Sequence, residues 1–182
     1  GIRPVGDDAR PDESAAAVLL NQALDTGINF IDTARAYGTS EEVIGRALAG
    51  RRGEYILASK VSSFSKENLP PQAVRERVAG SVEQSLRALR TSVIDIMLVH
   101  STIGDTLDAG PVWEALSMQR EAGNIRFLGA SVYGEQAALD AMATGYDCLQ
   151  IAYSVLDRGP EARLMVEAAA RDVGIVVRSV LL

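Results

Sequence analysis

The chain has 182 residues, 47% of them apolar and 23% charged, the balance of a globular protein with one sizeable core. Its net charge of −6 argues against a nucleic-acid or anionic-membrane partner, which calls for a concentrated basic surface, but leaves room for one small basic pocket. A single cysteine, Cys148, and a single histidine, His100, exclude an intrachain disulfide and a zinc site of the usual Cys/His type; no apolar run reaches the ~20 residues of a membrane span.

In chain order, Glu13–Thr26 is rich in Ala and Leu and stops at Gly27, which predicts a helix. Ile28–Ile31 follows as a short apolar strand that ends at Asp32. Ser40 is placed to cap a helix through Ala49, with Glu41 and Glu42 in its first turn and Gly50 beyond its end. Tyr55–Ala58 is the next strand, leading to Lys60. Pro70 and Pro71 suit the opening of a long helix to Leu89. Ile94–Val99 is a strand that ends at His100. Helix Pro111–Ala122, strand Arg126–Gly129, helix Glu135–Ala143 and strand Cys148–Ala152 continue the alternation. Helix Pro160–Val173 and strand Ile175–Val180 complete it.

Strands alternating with helices at this spacing predict a parallel α/β sheet forming one domain over residues 1–182. Two closures are open to it. A doubly wound sheet expects a Gly-rich fingerprint after its first strand, and the turn here reads Asp-Thr-Ala-Arg-Ala-Tyr-Gly. A (β/α)8 barrel of the TIM type expects polar residues at the carboxyl ends of its strands, facing one mouth. The strands end in Asp32, Lys60, His100, Ser131, Gln150 and Arg178, which favours the barrel. A whole barrel takes ~250 residues, so about six of its eight βα units are expected here. The chain begins with Gly1 rather than Met and ends in the apolar run Ile175 to Leu182, so both ends read as cut.

Taken singly, these polar residues have plain explanations. Asp32 could bond its own turn, Lys60 could snorkel to water, His100 could be a satisfied half-buried ring, and Tyr37 could be an amphipathic plug. Cys148 reads as buried filler, and Trp113 as core. Together, an acid, a base and the chain's single His end consecutive strands and would face one cavity. A phenol is a weak acid at neutral pH, and a nearby ammonium favours its phenolate. A carboxylate beside that ammonium keeps it charged, and a neutral imidazole can orient a substrate oxygen. Such a cavity could protonate a carbonyl as hydride reaches its carbon, with a cofactor supplying the hydride.

Gly27-Ile28-Asn29-Phe30-Ile31-Asp32-Thr33-Ala34, with Tyr37-Gly38, Ser40-Glu41-Glu42 and Gly45, resembles the signature of the aldo-keto reductases. Ala58-Ser59-Lys60 and Leu98-Val99-His100 resemble that family's lysine and histidine strands. Gly123 to Ser131, Leu149 to Ser154 with Leu156-Asp157-Arg158, and Gly174 to Leu181 resemble its later strands.

The resemblance implies a cytoplasmic oxidoreductase that reduces an aldehyde or ketone, or oxidises an alcohol or sugar, with NADP(H) or less often NAD(H). Tyr37 would be the general acid/base, Lys60 its cationic partner, Asp32 the carboxylate holding Lys60, and His100 the group orienting the carbonyl. Ser131 and Gln150 would bond the nicotinamide carboxamide. Ser179, Val180 and Leu181 would run along the pyrophosphate. Arg178 stands where many relatives place a stacking Tyr, and Val132 where many carry Asn; a guanidinium plane can also stack on a ring. Tyr153 could line the substrate pocket. The alternatives are a non-catalytic NADP(H)-binding regulatory module, an enzyme using Lys60 as a Schiff-base nucleophile, and an inactive fragment.

Overall fold

A computed structural model of the chain describes residues 12–64, 67–100 and 110–181; Gly1 and Leu182, the ends that read as cut, lie outside the described residues. The elements are α1 (Glu13–Asp25), β1 (Phe30–Asp32), α2 (Ser40–Ala47), β2 (Ile56–Ser62), α3 (Pro71–Ala88), β3 (Ile94–His100), α4 (Pro111–Glu121), β4 (Ile125–Ser131), α5 (Glu135–Thr144), β5 (Cys148–Ala152), α6 (Leu164–Ala170) and β6 (Gly174–Arg178).

Every strand pairs in parallel with the next, in the order β1-β2-β3-β4-β5-β6. A strictly sequential order has no point at which the winding reverses, so the sheet is not doubly wound. Right-handed crossovers that all advance in one direction put every helix on one face. The other face is the inside of a curled, partial (β/α)8 barrel.

Strand alternation sorts the side chains between these faces. Leu57, Met97, Val99, Leu128 and Leu149 lie buried beneath the helices with Val74, Val78 and Val82 of α3 and Leu116 of α4. This layer is the core. On the inner face the strands run close together: a Cβ on Gly129 would lie 2.4 Å from Leu98 Cδ2 and 2.9 Å from the Cys148 carbonyl oxygen. Ile56 and Phe127, also on the inner face, are about half exposed. At the amino ends of the strands, the buried Asp95 carboxylate on β3 accepts from Arg52 Nη2 at 2.6 Å and from the Leu57 backbone N–H at 2.8 Å, and pairs with Arg126 at 2.8 Å. That carboxylate clamps β2, β3 and β4 at the end away from His100.

Three local expectations are corrected. Ser40 does not cap α2: Thr39 holds the cap position without a side-chain bond, and the Ser40 hydroxyl accepts instead from Thr33 Oγ1 at 2.9 Å. The helix expected over Pro160–Val173 is divided into a 3-10 turn (Gly159–Glu161) and α6. Glu161 bonds back to Tyr153 and Arg158, and this ties the first turn to the loop after β5. The last strand stops at Arg178 because Ser179 takes a left-handed backbone (φ 63°).

Candidate functional site

The site lies where the carboxyl ends of β1 to β6 meet. Parallel pairing in register places these ends side by side: Ser62 opposite His100, His100 opposite Ser131, Ser131 opposite Gln150, and Ala152 opposite Arg178. Residues distant in sequence become neighbours along one rim.

Lys60 occupies the floor. Its side chain is 1% exposed, and its ammonium donates to Asp32 Oδ1 at 2.7 Å and to the Thr33 carbonyl at 2.9 Å. A buried ammonium is tolerated only with such partners. The same Nζ lies 5.0 Å from the centre of the Tyr37 ring. The Tyr37 ring meets His100 edge-on, with centroids 5.8 Å apart and planes at 89°. The structure therefore brings Asp32, Tyr37, Lys60 and His100 into one cluster.

Burial pushes the His100 imidazole below its ordinary value; the Lys60 charge adds to this, Asp32 opposes it, and Arg178 adds a smaller push. His100 is thereby held neutral at neutral pH. A cavity of about 710 Å³ opens beside Lys60 and His100; Ala36, Phe64, Ala73 and Gly80 line it together with polar and charged side chains, among them Arg35, Glu76 and Arg77. That volume suits a small organic molecule.

Further along the rim, Ser131 and Gln150 are almost fully buried. Arg178 stacks on Tyr133, its Cζ 4.2 Å from the ring centre, and donates from Nη2 to the Val132 carbonyl at 3.1 Å. Its Nε is buried with no hydrogen-bond partner among the described residues. Ser179, Val180 and Leu181 follow in the turn after β6, where Leu181 is 96% exposed and makes no packed contribution to the rim. The Tyr153 hydroxyl donates to Glu161, and Tyr153 does not line the cavity beside Lys60 and His100.

Glu41 stands in the first turn of α2, as the sequence predicts, but its burial was not read from the sequence. Glu41 is fully buried, pairs with Arg35, and accepts from Ser59 Oγ at 2.6 Å. Tyr133 was missed altogether. The available signals were an Arg between Asp32 and Tyr37 with acids six and seven residues on, and an aromatic two residues after a rim serine.

Among the described residues, no group of three or more His, Cys, Asp or Glu side chains is arranged to hold a metal ion, and no helix is long and apolar enough to cross a membrane.

Comparison with known proteins agrees with this geometry. The model of the Aldo/keto reductase family matches residues 2–182. An aldo-keto reductase of Bacillus subtilis, YhdN, is 36% identical over 163 residues, which cover 85% of this chain and 48% of that protein. The NADH-specific methylglyoxal reductase of Escherichia coli is 32% identical over 174 residues, covering 84% of this chain and 51% of its own length. The chain thus spans about half the length of these relatives. A crystal structure of an aldo-keto reductase from Klebsiella pneumoniae in complex with NADPH superposes with a TM-score of 0.81 at 26% identity, over 94% of this chain and 60% of that one.

Proposed function

The chain belongs to the aldo/keto reductase family, and from that premise we propose that it carries the proton-transfer centre of an oxidoreductase that reduces an aldehyde or ketone, or runs the reverse oxidation. The observation that carries this reading is the contact set of Lys60: one buried ammonium bonded to Asp32 and facing the Tyr37 ring.

The residues along the rim fit a nicotinamide cofactor. The buried Arg178 Nε has no hydrogen-bond partner among the described residues, so it has a donor to offer, and the Arg178–Tyr133 stack presents flat surface on the same rim as Ser131 and Gln150. Ser131 and Gln150 would hold the carboxamide, Arg178 would face the ring, and the backbone of Ser179 to Leu181 would follow the pyrophosphate. NADP(H) is the proposed cofactor, supported by the NADPH complex of the Klebsiella structure. The NADH specificity printed for the Escherichia coli relative makes NAD(H) the alternative.

The cofactor supplies hydride to the carbonyl carbon. Tyr37 holds the proton that goes to the carbonyl oxygen, and Lys60 supports the phenolate left behind. Asp32 keeps Lys60 charged and aimed. His100, neutral at working pH, bonds the same oxygen and fixes the angle of approach.

The test is Tyr37→Phe, assayed with NADPH and a panel of aldehydes. Carbonyl reduction is expected to vanish while cofactor binding, followed by fluorescence, persists. Retained turnover would overturn the assignment. Tight NADPH binding with no turnover by the parent protein would support a regulatory module instead.

A further inference from the structure

Among the described residues, three charged side chains are buried: Lys60, Asp95 and Glu41. Lys60 belongs to the site and Asp95 to the strand clamp at the opposite end. Glu41 belongs to neither, and a carboxylate with no exposure requires compensation for the solvation it has lost.

Its partners are specific. Ser59 Oγ donates to Glu41 at 2.6 Å. The Arg35 guanidinium pairs with Glu41 and, through its second arm, bonds Glu42 Oε1 at 3.2 Å. Ser59 is the residue before Lys60 on β2, and strand alternation turns it to the helix side of the sheet, behind the lysine. Arg35 lies in the loop between Asp32 and Tyr37. Glu41 therefore grips that loop with one oxygen and the lysine strand with the other.

The loop needs this fastening. Tyr37 is 47% exposed, and its ring is covered only in part where it meets Lys60 and His100. The backbone bond from Arg35 N–H to the Lys60 carbonyl is long, at 3.3 Å. The firm main-chain bond from this loop to β2, Thr33 N–H to the Ala58 carbonyl at 2.9 Å, lies four residues before Tyr37; the bonds at Tyr37 itself, from its N–H to the Ala34 carbonyl at 3.0 Å and from Ser40 N–H to its carbonyl at 3.1 Å, stay within the loop and the start of α2. Among the described residues, the side-chain bonds that anchor the loop are Lys60 Nζ to the Thr33 carbonyl, the Arg35–Glu41–Ser59 chain and the Thr33–Ser40 hydroxyl pair, and of these the Arg35–Glu41–Ser59 chain reaches closest to Tyr37.

We infer that Glu41 is a positioning residue: by fastening Arg35 to Ser59 behind Lys60, it fixes the separation of the Tyr37 phenol from the Lys60 ammonium. This rests on the reading of Tyr37 as the proton donor. Glu41 touches neither cofactor nor substrate, so it acts on the proton-transfer geometry and not on binding.

The experiment uses Glu41→Gln, which keeps the volume but loses the charge, and Ser59→Ala, which keeps the ion pair but frees it from the lysine strand. Folded fraction, NADPH Kd, kcat and KM, and the solvent deuterium isotope effect on kcat are measured for each. The expected result is a kcat lowered about 10- to 100-fold per folded molecule, with Kd and KM unchanged and a larger solvent isotope effect. A purely structural role would lower only the folded fraction. Parent-like kcat and isotope effect in folded Glu41→Gln and Ser59→Ala would overturn the inference. If Glu41→Gln does not fold, Ser59→Ala decides alone. Tyr37→Phe, run in parallel, separates the failures: turnover by that variant overturns the reading of the site itself, whereas an inactive Tyr37→Phe beside fully active Glu41→Gln and Ser59→Ala overturns only the role of Glu41.

Discussion

Lys60 and Asp32 meet at 2.7 Å across adjacent strands, although the register sets Asp32 opposite Ala58, two residues earlier on β2. The lysine side chain therefore leans back across the strand end to reach the carboxylate. The ammonium is enclosed, while the Asp32 side chain keeps 33% of its surface exposed. Charge enters this site already neutralised in pairs, which makes a buried ammonium affordable beneath the cavity.

Removing the acid from that pair should be felt twice. Asp32→Asn is expected to cost about 1–3 kcal/mol of stability, less than a fully enclosed pair would lose, because Asp32 is partly solvated. It is also expected to lower kcat more than KM, since Lys60 loses its anchor. Urea unfolding and steady-state kinetics check the two effects separately, and an unchanged kcat would remove Asp32 from the mechanism.

Protonation of His100 should destabilise the fold. Burial and the neighbouring Lys60 charge hold its folded value below the ordinary 6.5, so the unfolded chain binds more protons there in the window beneath that value. The stability contributed by the neutral ring is complete above 6.5 and is lost as pH falls through the folded value. Denaturant midpoints across this window should decline less steeply in His100→Gln than in the parent. Parallel curves would show that His100 is not held neutral.

Burial, reinforced by Asp147, pushes the Cys148 thiol up to about 11, so little thiolate is present near neutrality. A disulfide reagent at mildly alkaline pH is expected to leave the folded protein unmodified and to titrate one thiol in denaturant. Rapid labelling of the native protein would place Cys148 nearer the surface than its 5% exposure states.

Gly45 marks where α2 crosses the end of α3. A Cβ there would lie 2.2 Å from the Ala88 carbonyl oxygen, a backbone atom that cannot swing aside. Gly45→Ala is expected to lose about 2–3 kcal/mol, read as a lowered Tm and urea midpoint. A variant as stable as the parent would mean that the two helices separate at little cost.

Much of the fold was legible in the sequence because its signals are local. Apolar runs bounded by glycine gave the strands, and an Ala/Leu-rich stretch before Gly27 gave α1 to within a residue. What failed did so where a side chain from ahead of the helix intervened. Ser40 gave up its cap position once Thr33 reached its hydroxyl, and the helix expected from Pro160 was divided once Glu161 turned to Tyr153 and Arg158. Thr33, Tyr153 and Arg158 all lie ahead of the stretch from which the helix in question is read.

The sequence by itself determined the identity of the polar residues at the strand ends and their order along the chain, because each follows an apolar run whose length sets where the strand stops. Tertiary structure alone decided which of them touch. Parallel register brought residues 28 apart into the Lys60–Asp32 bond, and strand alternation turned Ser59 to the side opposite Lys60, where it meets Glu41. A buried charge and a solvated one are written with the same letter. Packing from several elements at once makes them different, and it made Glu41 part of the frame that holds Tyr37.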